Sequence, residues 1–89
     1  MVQRAVDLVN RLGLHARAAA KFVHVSGRSA ADVQVRHDDQ EVNGKSILGL
    51  LLLAAPCGSR LTITASGSDE LEALAALEEL IGQRFGEDE

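Results

Sequence analysis

His15 and Arg17 stand two residues apart in LGLHARAAAKF (12–22), between a glycine and a run of alanines. An imidazole offers a nucleophilic nitrogen, and a guanidinium offers a forked cationic donor suited to phosphoryl oxygens. At the start of a helix this pair gains a third component. The first N–H groups of a helix lack partners within it, and the helix dipole adds partial positive charge there. That field favours the neutral, nucleophilic ring. An anion attached to the ring would meet donors already aimed at it, here the backbone N–H groups of Ala16 and Arg17. The parts needed to accept, hold and release a phosphoryl group are therefore present. Taken alone, the two residues read first as a helix cap and a solvated surface arginine, so two positions do not decide.

The elements that must position them can be read from the spacing of apolar residues. Val2, Val6 and Leu8 alternate with polar neighbours, which predicts a half-buried strand with the Val6 and Leu8 face inward. Asn10 to Gly13 reads as a loop in which Gly13 allows the turn. From Ala16 the period becomes helical: Ala16, Ala19, Ala20 and Val23 share one face, Arg17, Lys21 and His24 another, and Gly27 is a natural stop. Val33 and Val35 predict a second strand, Asp38-Asp39 a tight turn, and Gln40 to Asn43 a short third strand. A short helix is expected from Ser46 to about Leu53. Leu61, Ile63 and Ala65 predict a fourth strand. Leu71, Leu74, Leu77, Ile81 and Phe85 recur at three or four residues and predict a last helix, with Asp69 and Glu72 spaced as a capping box. The acidic tail, about 86–89, is expected to fray. The order β-α-β-β-α-β-α implies an α+β open-faced β-sandwich: a four-stranded, largely antiparallel sheet with three helices on one face.

Composition narrows the function. At 89 residues the chain suits one domain with one core, spanning 1–89. A formal charge of −4 and only two aromatic residues, both Phe, offer neither a basic surface nor a stacking platform for nucleic acid. Cys57 is the only cysteine, so no internal disulfide is available, and no Cys/His spacing suggests a metal site. No cofactor is implied. The N-terminus lacks the apolar core of a signal peptide, and ILGLLLLAAP is too short to span a bilayer, so no membrane insertion and a cytoplasmic location are expected.

Gly44-Lys45-Ser46 resembles the end of a phosphate-binding loop, but that motif requires glycine at position 39, which is Asp39. Ser46 instead reads as a helix cap. The helix after it carries Ile47, Leu48, Leu50, Leu51, Leu52 and Leu53, more than one short helix can bury against a sheet. Leu50 and Leu53 suit the core, which leaves Ile47, Leu48 and Leu51 as an apolar patch for a partner. Arg17, Lys21, His24, Arg28 and Lys45 could rim that patch with positive charge for acidic partners, although a plain solvated face accounts for Lys21, His24 and Arg28 as well. His37 carries no functional signal.

NRLGLHARAAAKF, NGKSILGLLLLAA and GSRLTITASGSDELEALAAL together resemble the HPr family, the histidine-containing phosphocarriers of the bacterial phosphoenolpyruvate-dependent phosphotransferase system. The likeness runs from about Val6 to Phe85. It implies that His15 is phosphorylated on Nδ1 by phospho-enzyme I, that Arg17 assists transfer, and that IIA domains receive the group. It also implies that Ser46 is a regulatory site, phosphorylated in some bacteria by an HPr kinase/phosphorylase, and that the first and second helices form the docking face. The sugar-related branch ranks ahead of a nitrogen-related carrier. A regulatory module that uses the same face without carrying phosphate, and a small hydrolase with His15 as base, are rivals of other classes. An intact His15 counts against the first. The second has no nucleophile placed beside it. Where the family has proline after His-Ala-Arg, position 18 is alanine, a strong helix former, so the helix should survive. A carrier that must visit several partners is expected to be a monomer.

Overall fold

Alternation places every second strand residue on one face, and in the computed structural model, which describes residues 1–88, those faces combine into one sheet. The strands are β1 (Val2–Asp7), β2 (Asp32–His37), β3 (Gln40–Asn43) and β4 (Arg60–Ser66), in spatial order β1-β4-β2-β3. All three pairings are antiparallel, with Val6 opposite Leu61 and Val35 opposite both Ile63 and Val42. Val33, Val35, Leu61, Ile63 and Ala65 are buried beneath the helices, whereas Gln3, Asp7 and Arg36 face solvent on the open side. The helices are α1 (Ala16–Ser26), α2 (Ile47–Leu53) and α3 (Glu70–Gly82), with a short turn at Arg84–Gly86. This is the open-faced α+β sandwich expected from the element order. No helix among the described residues is long and apolar enough to cross a membrane.

Three local expectations are corrected. In α1 the buried stripe is Ala18, Ala19, Phe22 and Ser26, while Ala16 and Ala20 lie exposed. Phe22, the largest apolar side chain of the helix, sets its rotation, because burying one large ring outweighs burying several methyl groups. In α3, Leu71 is 64% exposed and Phe85 lies beyond the helix end; Ala73, Leu74, Leu77 and Ile81 are the residues buried. Asp69 is the N-cap residue of α3 but makes no side-chain cap. Its two carboxylate oxygens accept the N–H groups of Ala30 and Ala31, both at 2.9 Å, tying the α1–β2 loop to α3. The Ala30 bond is the larger influence on the Asp69 carboxyl, and the two bonds outweigh desolvation and hold it below its usual range. Glu70, rather than Glu72, reaches back to the Gly67 N–H at 3.1 Å.

The tail is the fourth correction. Phe85 is fully buried, and Arg84, Phe85 and Gly86 turn left-handedly, with φ of 58, 56 and 77°. Such angles are strained for the two residues that carry a Cβ and persist only where the surroundings impose them. Burial of the Phe85 ring provides that constraint. The segment beyond α3 is thereby folded back toward the start of α1, and Lys21 donates from Nζ to the Phe85 carbonyl at 2.6 Å. Residues 86–88 are seated rather than frayed; Glu89 lies outside the described residues.

Candidate functional site

The site begins with the loop between β1 and α1. Leu8 exchanges backbone hydrogen bonds with Ser59 and Gly58, and the Leu14 N–H donates to the Ala55 carbonyl at 2.9 Å. Leu14 is buried, so the residue before His15 is pinned to the core. Gly13 has φ +67°, and a Cβ there would stand 2.5 Å from the Ala55 carbonyl oxygen. Only glycine satisfies both demands. The turn therefore brings the chain into α1 along one path.

His15 is the N-cap of α1, with extended backbone (φ −83°, ψ −178°), and its carbonyl accepts the first helical N–H from Ala19 at 2.8 Å. The helix starts at Ala16 with alanine at position 18, and Ala18 is fully buried. The Arg17 N–H points at His15 Nδ1, 3.3 Å away. A donor aimed at Nδ1 requires a lone pair on that nitrogen, which is also what a nucleophile requires. Of the two backbone N–H groups named from the sequence, that of Arg17 lies at the Nδ1 edge of the ring.

The opposite edge holds a partner that the sequence did not suggest. His15 Nε2 is in close hydrogen-bonding contact with Glu87 Oε2. The other oxygen, Glu87 Oε1, accepts from Asn10 Nδ2 at 2.9 Å, and the same amide donates to the Gly13 carbonyl at 2.8 Å. Asn10 is wholly buried, and its Oδ1 has no hydrogen-bond partner among the described residues. Two acceptors facing the amide nitrogen fix its orientation, because the flipped amide would set oxygen against oxygen. Burial pushes the Glu87 carboxyl up, but the bonds from Asn10 and His15, together with electrostatic attraction to His15 and Arg17, outweigh it and hold the carboxyl below its usual range. The signal that could have located Glu87 is Phe85: a large ring just past a helix end needs a place in the core, and seating it fixes where the next two residues fall.

Arg17 is exposed beside the histidine and, with Arg11, Lys21, Glu87 and Asp88, lines a hollow of about 330 Å³. Cationic and anionic groups meet there over an opening to solvent. Lys21 is committed to the tail carbonyl, so its ammonium is tied down rather than projecting as part of a rim. Arg17 and Lys21 also line a second hollow along α1, together with His24, Arg28 and Leu80. Lys45 donates to the Ser29 carbonyl at 2.8 Å. Four of the five basic residues named from the sequence thus share one hollow along α1, while Lys45 stands outside it and no α2 residue lines it.

Ser46 caps α2: its Oγ accepts the Gly49 N–H at 3.0 Å. Leu50 and Leu53 are buried, whereas Ile47, Leu48, Leu51 and Leu52 are exposed, Leu48 the most at 68%. The apolar patch is thus larger than expected by one residue, Leu52. α2 packs beside α1, which carries the histidine at its start. Cys57 is exposed, and His37 faces Asp38 with its Nε2 3.7 Å from the carboxylate.

Comparison with known proteins gives a consistent result. Residues 2–83 match the family described as PTS HPr component phosphorylation site. A phosphocarrier protein HPr of Pseudomonas aeruginosa is 51% identical over 85 residues, covering 94% of each chain. Its namesake in Neisseria meningitidis is 44% identical over 89 residues and covers both chains completely. Among solved structures, HPr-C-His from Thermoanaerobacter tengcongensis superposes with a TM-score of 0.96 at 38% identity, again covering both chains completely.

Proposed function

Because the chain belongs to the HPr family of phosphotransferase-system phosphocarriers, we propose that His15 is its phosphoryl acceptor, loaded on Nδ1 by phospho-enzyme I and unloaded onto IIA domains. The observation that carries this reading is the Arg17 N–H aimed at Nδ1 from the first turn of α1. In the free protein that contact is long and weak. Once a phosphoryl group occupies Nδ1, its oxygens replace the ring as acceptors for the unpaired N–H groups of the helix start. Arg17 is assigned to add its guanidinium to the same phosphoryl group. Transfer of a phosphoryl group depends on alignment and charge stabilisation rather than on a chain of covalent steps, so a small carrier can supply half of each transient site.

The exposed Ile47, Leu48 and Leu51 of α2, adjoining α1, are assigned to partner docking, with His24 at its margin and Lys21 holding the tail beside it. Ser46 is assigned as a regulatory phosphorylation site for an HPr kinase/phosphorylase. A phosphate there would add negative charge at the edge of the docking face and would oppose acidic partners. The carrier works in the cytoplasm as a monomer, and the sugar-related branch is preferred to the nitrogen-related one.

The test is intact mass after incubation with enzyme I and phosphoenolpyruvate, beside a His15→Ala control. One acid-labile phosphoryl group in the wild type, absent in the control, is the expected result. No gain in mass with enzyme I of the same organism would instead favour a binding module that does not carry phosphate.

A further inference from the structure

The contact between His15 and Glu87 is unexplained by packing alone. Glu87 is held at both oxygens, by His15 and by a fully buried asparagine whose own carbonyl has no partner among the described residues. A buried amide ordinarily satisfies all its polar atoms. Asn10 instead spends both N–H groups on acceptors, one of them Glu87. The tail reaches this position through a buried phenylalanine and two left-handed residues, so the carboxylate is placed by the fold rather than by chance encounter.

Resting on His15 as the phosphoryl acceptor, we propose that Glu87 is the positioning residue of that histidine: its carboxylate keeps the proton on Nε2, leaves the lone pair on Nδ1, and balances the charge the ring acquires on phosphorylation. Two independent contacts demand the same tautomer. The carboxylate at Nε2 requires an N–H there, and the Arg17 N–H at Nδ1 requires a lone pair. In the loading step the Nδ1 lone pair forms the bond to phosphorus. The bond from phosphorus to the donor atom breaks, and its electron pair stays with the donor. The ring keeps its Nε2 proton and becomes a phosphoimidazolium, one unit more positive than before. Glu87 faces that new charge directly. On unloading, the N–P pair returns to Nδ1 as the acceptor takes the phosphoryl group, and the proton again stays in place. No proton need leave Nε2 at any stage. A carboxylate that orients an imidazole and stabilises its cationic form performs the equivalent task in hydrolytic triads.

The arrangement is tested with the full chain as wild type, Glu87→Gln and Glu87→Ala. The His15 ring nitrogens are read by long-range ¹H–¹⁵N correlation at a pH where the ring is neutral, and phosphoryl uptake is timed against phospho-enzyme I. The wild type is expected to show a protonated Nε2 and a lone-pair Nδ1. Glu87→Ala should average the two nitrogens and slow uptake about tenfold, while Glu87→Gln, which has one oxygen for the two donors Nε2 and Asn10 Nδ2, should fall between Glu87→Ala and the wild type in both readings. Wild-type nitrogens in Glu87→Ala, or averaged nitrogens with undiminished uptake, would overturn the proposal. The nitrogen spectrum needs no phosphoryl transfer. A wild type that fails to load at all therefore counts against His15 as carrier, while the tautomer result is still read separately.

Discussion

At the residue scale, His15 is held on three sides: by its own helix backbone, by the Arg17 N–H at Nδ1 and by Glu87 at Nε2. In the proposed transfer Arg17 would contribute twice, through its N–H and through its guanidinium. Arg17→Lys keeps the N–H and the charge but replaces a planar fork with a point charge. It should slow uptake from phospho-enzyme I about tenfold, which corresponds to ~1.4 kcal/mol of transition-state stabilisation. Because the side chain is exposed, unfolding in urea should change by less than about 0.5 kcal/mol. Glu87 gives a pH test. Its folded carboxyl titrates below the unfolded one, so the stability it adds is present above the ordinary glutamate range and is lost as pH falls through the depressed value. His15→Ala removes two of the influences that lower it. A carboxyl-detected NMR titration should then show the Glu87 midpoint moving up, toward the ordinary range.

At the element scale, the entry into α1 depends on Gly13. Alanine there meets both a positive φ and the Ala55 carbonyl at 2.5 Å. Gly13→Ala should cost about 1–3 kcal/mol in denaturant unfolding and should shift the His15 amide resonance, because the turn and the cap are consecutive. The strands and the helix caps at His15 and Ser46 were legible in the sequence, since alternation, glycine and cap chemistry are local signals. The rotation of α1 was not, because several alanines mimic an apolar stripe and Phe22 alone decides it. Asp69 was misread for a related reason: its spacing to Glu72 suits a cap, but two unpaired N–H groups on the distant α1–β2 loop compete for the same carboxylate. Glu87 was invisible at this scale. Its partner is 72 residues away in sequence, and no period connects them.

At the scale of the whole molecule, one end of the sandwich gathers the loop after β1, the start of α1, the tail, and α2 alongside. The open face of the sheet is left polar, and the exposed apolar surface is concentrated on α2. Leu48→Asp should therefore leave thermal unfolding nearly unchanged, because Leu48 makes little use of the core, yet raise the KM for transfer from phospho-enzyme I several-fold. Equal effects on folding and transfer would mean that Leu48 supports the fold rather than a partner.

The chain contains two phenylalanines and neither tryptophan nor tyrosine. Both rings are fully buried, Phe22 in the middle of α1 and Phe85 under the tail that carries Glu87. Substituting fluorophenylalanine throughout would thus yield a two-line fluorine spectrum. The Phe22 line would serve as the internal reference for an intact core. The Phe85 line would report, in a single number, whether the tail stays seated as the carrier moves from donor to acceptor.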